Sequence, residues 1–255
     1  MPAGPRRFTP VAAGRGHNDG VPTNPYPTSP RWTLAEEITD AVRRRYSTDV
    51  LAVGVHGAVA HGDDTEDSYL DLMVIIEGSR TGPQPATRRV NGSIIDLGVI
   101  SAGEYLAHAR TLSTAWPLAA DQYLTARPTY DPDGWYPRLR DAHLARLAGA
   151  GAGEFTALAL QAWYRACSAI GRARQLAGGF EADAGLVALS DARVGAAVVE
   201  GLLTRTYFRD DADAVRRTGI AGMGLPDLNE RLAVQAGLLA HRGRPVDGTV
   251  ADLFP

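Results

Sequence analysis

There is no lysine in this sequence of 255 residues; all 26 basic residues are arginine. Any grip on a phosphate or carboxylate must therefore come from planar, bidentate guanidinium groups. A single cysteine, Cys167, excludes an internal disulfide, and among helix-forming neighbours it reads as a small buried hydrophobe. Long apolar runs are missing too: residues 70–76 form one of the longest, far short of the roughly 20 needed to cross a bilayer. Arg6 and Arg7 have no apolar core behind them, so no secretory signal is read and the cytoplasm is the expected compartment, with no membrane partner. The net charge of −3 gives no basic excess, so no nucleic-acid partner is expected. What is present, 45% hydrophobic and 22% charged residues, is the balance of a globular protein with one large or two modest domains.

Residues 1–30 are rich in Pro, Gly and Asn without periodicity and read as a flexible arm. Thr33 to Glu36 has the form of a capping box, and Leu34, Ile38, Ala41, Val42 and Tyr46 follow at helical spacing, predicting a helix over 34–46. Residues 51–55, 70–76 and 94–100 are apolar runs that predict buried strands, with a Gly/Asp/Ser turn region over 57–68. Ser101 and Glu104 form a second capping box, opening a helix to about 111. From Trp116 the pattern is helical throughout, with segments at 116–124, 137–148, 154–177, 186–208 and 226–241 separated by Gly/Pro breaks, and no further strand is read. The expected architecture is an α/β unit over 31–115 followed by an all-α bundle over 116–255.

Two of the three strand patterns are interrupted by one carboxylate each, Asp71 and Asp96. A carboxylate in a buried strand is expensive unless it meets a cation or hydrogen-bond donors. On a strand, Leu70 and Leu72 point opposite to Asp71, so side-by-side pairing lets Asp71 and Asp96 converge beneath the glycine turn. Converging carboxylates beside such a turn suit Mg²⁺ held against nucleotide phosphates. The alternative is that each Asp is a solvated strand-end residue.

The segment from His56-Gly57-Ala58 through Gly62-Asp63 to Tyr69-Leu70-Asp71 resembles the glycine-serine and paired-acid signature of the nucleotidyltransferase superfamily. Asp96 falls where the third carboxylate belongs. Trp116-Pro117-Leu118 with Gln122, then Pro128 to Asp131, and the tail from Arg242 to Pro255 resemble the kanamycin (aminoglycoside) nucleotidyltransferases, so the likeness covers nearly all of 32–255. The resemblance implies a small mixed sheet with helices plus a helical bundle, in a homodimer whose clefts draw on both subunits. It implies transfer of a nucleoside monophosphate from a Mg-bound triphosphate, ATP or GTP, to an aminoglycoside hydroxyl. Three acids of the sheet would hold metal, and a Glu of the helical domain would serve as base.

The sequence departs from that pattern inside the site. Ala58 stands where a phosphate-binding Ser is expected. Tyr69 stands where the first of two alternate acids is expected, and a phenol is a poor Mg²⁺ ligand. The long helix over 154–177 has no acid after Glu154; Arg165, Arg172 and Arg174 are among its polar residues. The first reading is therefore a diverged member that binds a small polar or amine-bearing natural product in the inter-domain cleft and carries out a metal-independent step, with no cofactor. Asp71, Asp96, Tyr69 and His61 would be its catalytic groups, and His56, Ala58, Arg165 and Arg172 would bind substrate. His56 and His61 are equally readable as turn residues with satisfied hydrogen bonds. The other readings are an active transferase with Asp71 and Asp96 as a reduced Mg²⁺ site, and a non-catalytic binding protein.

Overall fold

The computed structural model describes residues 29–78 and 82–250; the arm expected over 1–30 lies almost wholly outside them, as does the end of the tail. In chain order the elements are α1 (Pro30–Tyr46), β1 (Val50–His56), α2 (Gly57–His61), β2 (Leu70–Ile76), β3 (Ala86–Val90), β4 (Ser93–Ser101) and α3 (Ala102–Ala109). Next come α4 (Trp116–Ala119), α5 (Asp121–Leu124), β5 (Arg127–Tyr130) and α6 (Trp135–Gly149). The rest is helical: α7 (Ala152–Gly178), α8 (Ala182–Thr204), α9 (Asp211–Arg217) and α10 (Leu225–His241). The result is a mixed five-stranded sheet with helices, followed by a largely helical region, as the resemblance implies.

The sheet runs β3-β4-β2-β1-β5. β2 and β4 are parallel; β1 is antiparallel to both β2 and β5, and β3 is antiparallel to β4. Alternation of side chains gives the sheet two apolar faces. Val53, Val55, Leu70, Leu72 and Val74 pack with Trp32, Leu34 and Val42 of α1. Ala52 and Ile75 face the other way, onto Tyr105 and Ala109 of α3, Tyr123 of α5, and Tyr136 and Leu139 of α6. The helical region buries Phe155, Ala159, Ala166 and Ile170 of α7 against Ala192, Ala196, Val199 and Leu202 of α8, closed by Leu228, Leu232 and Leu239 of α10.

Several elements differ from expectation. The segment over 57–68 is not all turn: Ala58, Val59 and Ala60 carry a one-turn helix because Val59 and Ala60 reach the sheet core. The capping box at Thr33 is unused, since α1 starts a turn earlier with Pro30 in its first turn and Ser29 before it. At Ser101 the N-cap half of the box forms, its Oγ accepting the Glu104 N–H at 3.3 Å. Strand pairing reappears after Trp116, because β5 joins the sheet at its edge, where Pro128 costs little. The sheet and its covering helices thus extend to residue 149, past the division expected at 115/116. α8 stops at Thr204 with Arg205 in the left-handed region, short of the 208 expected, and α9 was not read at all.

Close approach at Gly54 fixes α6 on the sheet. A methyl group there would fall on the Tyr136 ring, whose hydroxyl donates to the Met73 carbonyl at 3.2 Å. Gly54→Ala should cost about 1–3 kcal/mol by overpacking, read as a lower urea midpoint. A variant as stable as its parent would mean that α6 does not sit on β1 at this point.

Candidate active site

The site begins where β1 ends. Gly57 has φ +63, which turns the chain sharply off the strand, and a Cβ there would stand 2.6 Å from Asp71 Oδ2. Only glycine combines that backbone with that approach. Gly62, also left-handed, closes α2 with its N–H on the Ala58 carbonyl at 2.8 Å. The turn that follows is held from behind by Arg31, which donates through Nε to the Ser68 carbonyl at 3.0 Å and through Nη1 to Asp64 Oδ2 at 3.4 Å. Ser29 Oγ donates to the same Asp64 oxygen at 3.0 Å.

Parallel pairing of β2 with β4 sets Asp71 directly beside Asp96. Burial raises the Asp71 carboxyl above its ordinary range, and the Asp96 charge raises it further. Asp96 is partly satisfied, its Oδ1 accepting the Thr87 hydroxyl at 2.9 Å. Asp71, Ala58, Tyr69 and His61 line one open cleft of about 720 Å³, and Tyr69 is 56% exposed at its rim. His61 Nε2 lies 2.9 Å from Asp121 Oδ2 and 3.2 Å from Oδ1, although Asp121 belongs to α5.

The opposite wall is not the expected one. Arg165 and Arg172 line a separate depression of about 480 Å³ on α7, with Tyr164 and Ser168. Arg165 donates to Thr114 Oγ1 at 2.9 Å, and Arg172 pairs with Asp191 at 3.4 Å. Neither is among the residues lining the cleft of Asp71. Instead Arg209, Arg216 and Arg217, around α9, stand across the cleft with Asp210 and Asp213. Asp213 gathers them, accepting the Arg209 backbone N–H and pairing with the guanidinium groups of Arg216 and Arg217. Arg209 also forms an ion pair with Asp63 of the glycine turn. Glu154, the acid of α7, is held by Arg146.

His56 is not among the cleft-lining residues. Its ring nitrogens are buried without a hydrogen-bond partner among the described residues, the ring lies 6.0 Å from that of Tyr136 between centroids, and burial lowers its pKa to about 4. The sequence reading missed Asp121 and the α9 arginines. A helix-capping Asp before a short polar helix was the available sign of α9, and Asp210 does accept the Asp213 N–H at 2.6 Å. Nothing in the sequence announced Asp121, whose role depends on a contact across 60 residues.

The donor set is short of a three-carboxylate metal site: among the described residues no three His, Cys, Asp or Glu side chains gather. Two adjacent carboxylates do fit a Mg²⁺ whose shell is completed by phosphates and water.

No family model matches the chain. It is similar to the aminoglycoside nucleotidyltransferases (4') of Staphylococcus aureus and of a Bacillus species, with 24% identity over 110 residues, 43% of this chain. The chain spans 43% of the length of each of these relatives. Among solved structures it is similar to a nucleotidyltransferase-like protein from Exiguobacterium sibiricum, with a TM-score of 0.40, 12% identity, and 81% of this chain and 75% of that one covered. The curated relatives are of the kind that the chain's own motifs resemble.

His56 makes the fold acid-sensitive. Its folded pKa lies below the unfolded value of about 6.5, so the unfolded chain takes up the proton first as pH falls, and stability is lost between pH 6.5 and about 4. The loss is on the order of 3 kcal/mol. Urea denaturation at pH 7 and pH 4 should show a distinctly smaller acid loss for His56→Gln; equal losses would place the His56 ring in water.

Proposed function

We propose that this chain is a diverged nucleotidyltransferase-like protein whose cleft binds a small polar or amine-bearing molecule through the Asp71–Asp96 pair. The observation that carries this reading is the pairing itself: two carboxylates abreast on parallel strands, with Asp71 pushed up by burial and further by the Asp96 charge. A cation between them relieves the repulsion, and a ligand ammonium group supplies one. The cleft carries Asp63, Asp71, Asp210 and Asp213 against three arginines, which suits an amine-bearing ligand.

Ordinary nucleotidyl transfer is weakened on three counts. Ala58 offers a methyl where a hydroxyl would hold phosphate, Tyr69 stands where a metal carboxylate is expected, and α7 has no acid after Glu154, which pairs with Arg146. Each lost transition-state contact costs on the order of 10²–10³ in rate, although such losses do not simply add. The step catalysed would then be metal-independent. In a homodimer, Arg165 and Arg172 would be available to the partner's cleft. The cytoplasm is the proposed compartment, and no helix among the described residues is long and apolar enough to cross a membrane.

The same acid pair favours a second reading, an aminoglycoside nucleotidyltransferase with a reduced metal site. Asp71 and Asp96 would then hold one Mg²⁺, which when bound polarises a phosphoryl oxygen of ATP or GTP. The likeness to aminoglycoside nucleotidyltransferases (4') supports this reading.

Calorimetry with kanamycin, with Mg-ATP and with Mg-GTP, singly and together, decides between them. The proposal expects kanamycin to bind without metal or nucleotide, weakened at least tenfold in Asp71→Asn. Tight Mg²⁺-dependent nucleotide binding, or nucleotidylated kanamycin by mass spectrometry, would overturn it.

A further inference from the structure

The register that seats Asp71 beside Asp96 continues one step outward. Leu70 pairs with Ile95 and Asp71 with Asp96 on the parallel strands β2 and β4. Tyr69 and Ile94 each stand two residues before an acid, so alternation puts them on the acids' face of the sheet. Leu70 and Ile95, between them, take the other face and are buried in the core against α1. Tyr69 and Ile94 are not buried; they are 56% and 37% exposed. Tyr69 lines the cleft beside Asp71 and Ser68. Its approach is well fixed: the Ser68 carbonyl accepts from Arg31 Nε at 3.0 Å, and the Ser68 hydroxyl accepts the Thr65 N–H at 2.8 Å. Beyond Ile94 the register brings Arg89 of β3, whose Nε donates to the Gly92 carbonyl at 3.4 Å. One rung of the sheet is thus acidic, and the next rung out is apolar and open, ending in an arginine.

We infer that Tyr69 and Ile94 form an apolar shelf that selects an amine carrying an aromatic ring, with the ammonium group on the Asp71–Asp96 pair and the ring lying across the shelf. The inference rests on the reading above that the acid pair takes an amine, and it narrows what that amine carries. A single exposed apolar side chain is ordinary on a protein surface. Two abreast, level with a pair of acids, offer a flat face that only an apolar partner removes from water. A hydroxyl-rich body would leave that face wet, whereas an arene covers it and stacks on the Tyr69 ring. Same-face neighbours on a strand lie about 7 Å apart, a span suited to a link of about two or three carbons between nitrogen and ring. Tyr69 acts here as a contact surface, and the charge recognition stays with the two acids.

The test titrates the full-length chain, observed by NMR, with 2-phenylethylamine and with ethylamine, two amines of equal charge. The phenyl compound should bind roughly tenfold tighter or better, and the Tyr69 ring signals, assigned through Tyr69→Phe, should move as it binds. In the double variant Tyr69→Ser, Ile94→Ser the preference should fall to about threefold or less. In Asp71→Asn both amines should weaken together. Equal affinities in the parent, a preference that survives the double variant, or an Asp71→Asn chain that binds both amines as the parent does would overturn the inference. So would Tyr69 ring signals that 2-phenylethylamine leaves in place, a measurement that decides even if the double variant fails to fold. Kanamycin calorimetry on the same samples separates this inference from the reading it rests on. Kanamycin binding without a phenyl preference removes the shelf alone, whereas no binding of any amine removes both.

Discussion

Two like charges side by side on parallel strands set the terms for the rest of this site. The β2–β4 register makes Asp71 and Asp96 neighbours, and nothing in the backbone allows them to part without moving Leu70, Leu72 and Val74 out of the core on the opposite face. The neighbouring features follow from that constraint. Gly57 turns the chain away so that its backbone lies against the Asp71 carboxylate, Thr87 donates to Asp96, and Arg31 fixes the turn that carries Tyr69 into place. Burial and the Asp96 charge together push the Asp71 carboxyl upward.

The cleft is not the property of the sheet alone. The chain leaves the sheet after α3, returns through α5 and β5, and only then commits to the helical region. That return brings Asp121 to His61 and Tyr136 to Gly54. It also seats His143 in one protonation state. Trp116 Nε1–H donates to His143 Nε2 at 3.2 Å, so Nδ1 carries the proton and donates to the Ala109 carbonyl at 2.8 Å. Burial lowers the pKa of that ring, against the raising effect of the Ala109 hydrogen bond. α3, α4 and α6 are thereby tied together by hydrogen bonds as well as by packing.

Buried elements were legible in the sequence because burial writes itself as apolar periodicity. The three apolar strands β1, β2 and β4, two of them interrupted by Asp71 and Asp96, and the long helices α7, α8 and α10, were all visible in that way, as was the Ser101 cap. Elements without a buried stripe were not. β3 is an edge strand whose Arg88, Arg89 and Val90 are exposed, β5 carries a Pro at the other edge, and α9 is short and polar. The acid half of the site, on buried strands, was therefore readable, whereas the α9 arginines were not. Arg165 and Arg172, expected opposite the acids, line a different depression on α7. His56 was read as a cleft residue because it adjoins the glycine turn, but strand alternation carries its ring into the layer with Tyr136.

The acid seat depends on an Asp71 carboxyl raised by burial and by the charge of Asp96, and carboxyl-carbon NMR measures this directly. Titration of the Asp71 Cγ signal in the parent and in Asp96→Asn should show Asp71 ionising above the ordinary Asp range in the parent. It should ionise at lower pH once its neighbour is neutral, since the charge of Asp96 contributes to the shift. An Asp71 signal that titrates like a solvated carboxylate, unmoved by the Asp96 substitution, would contradict the account.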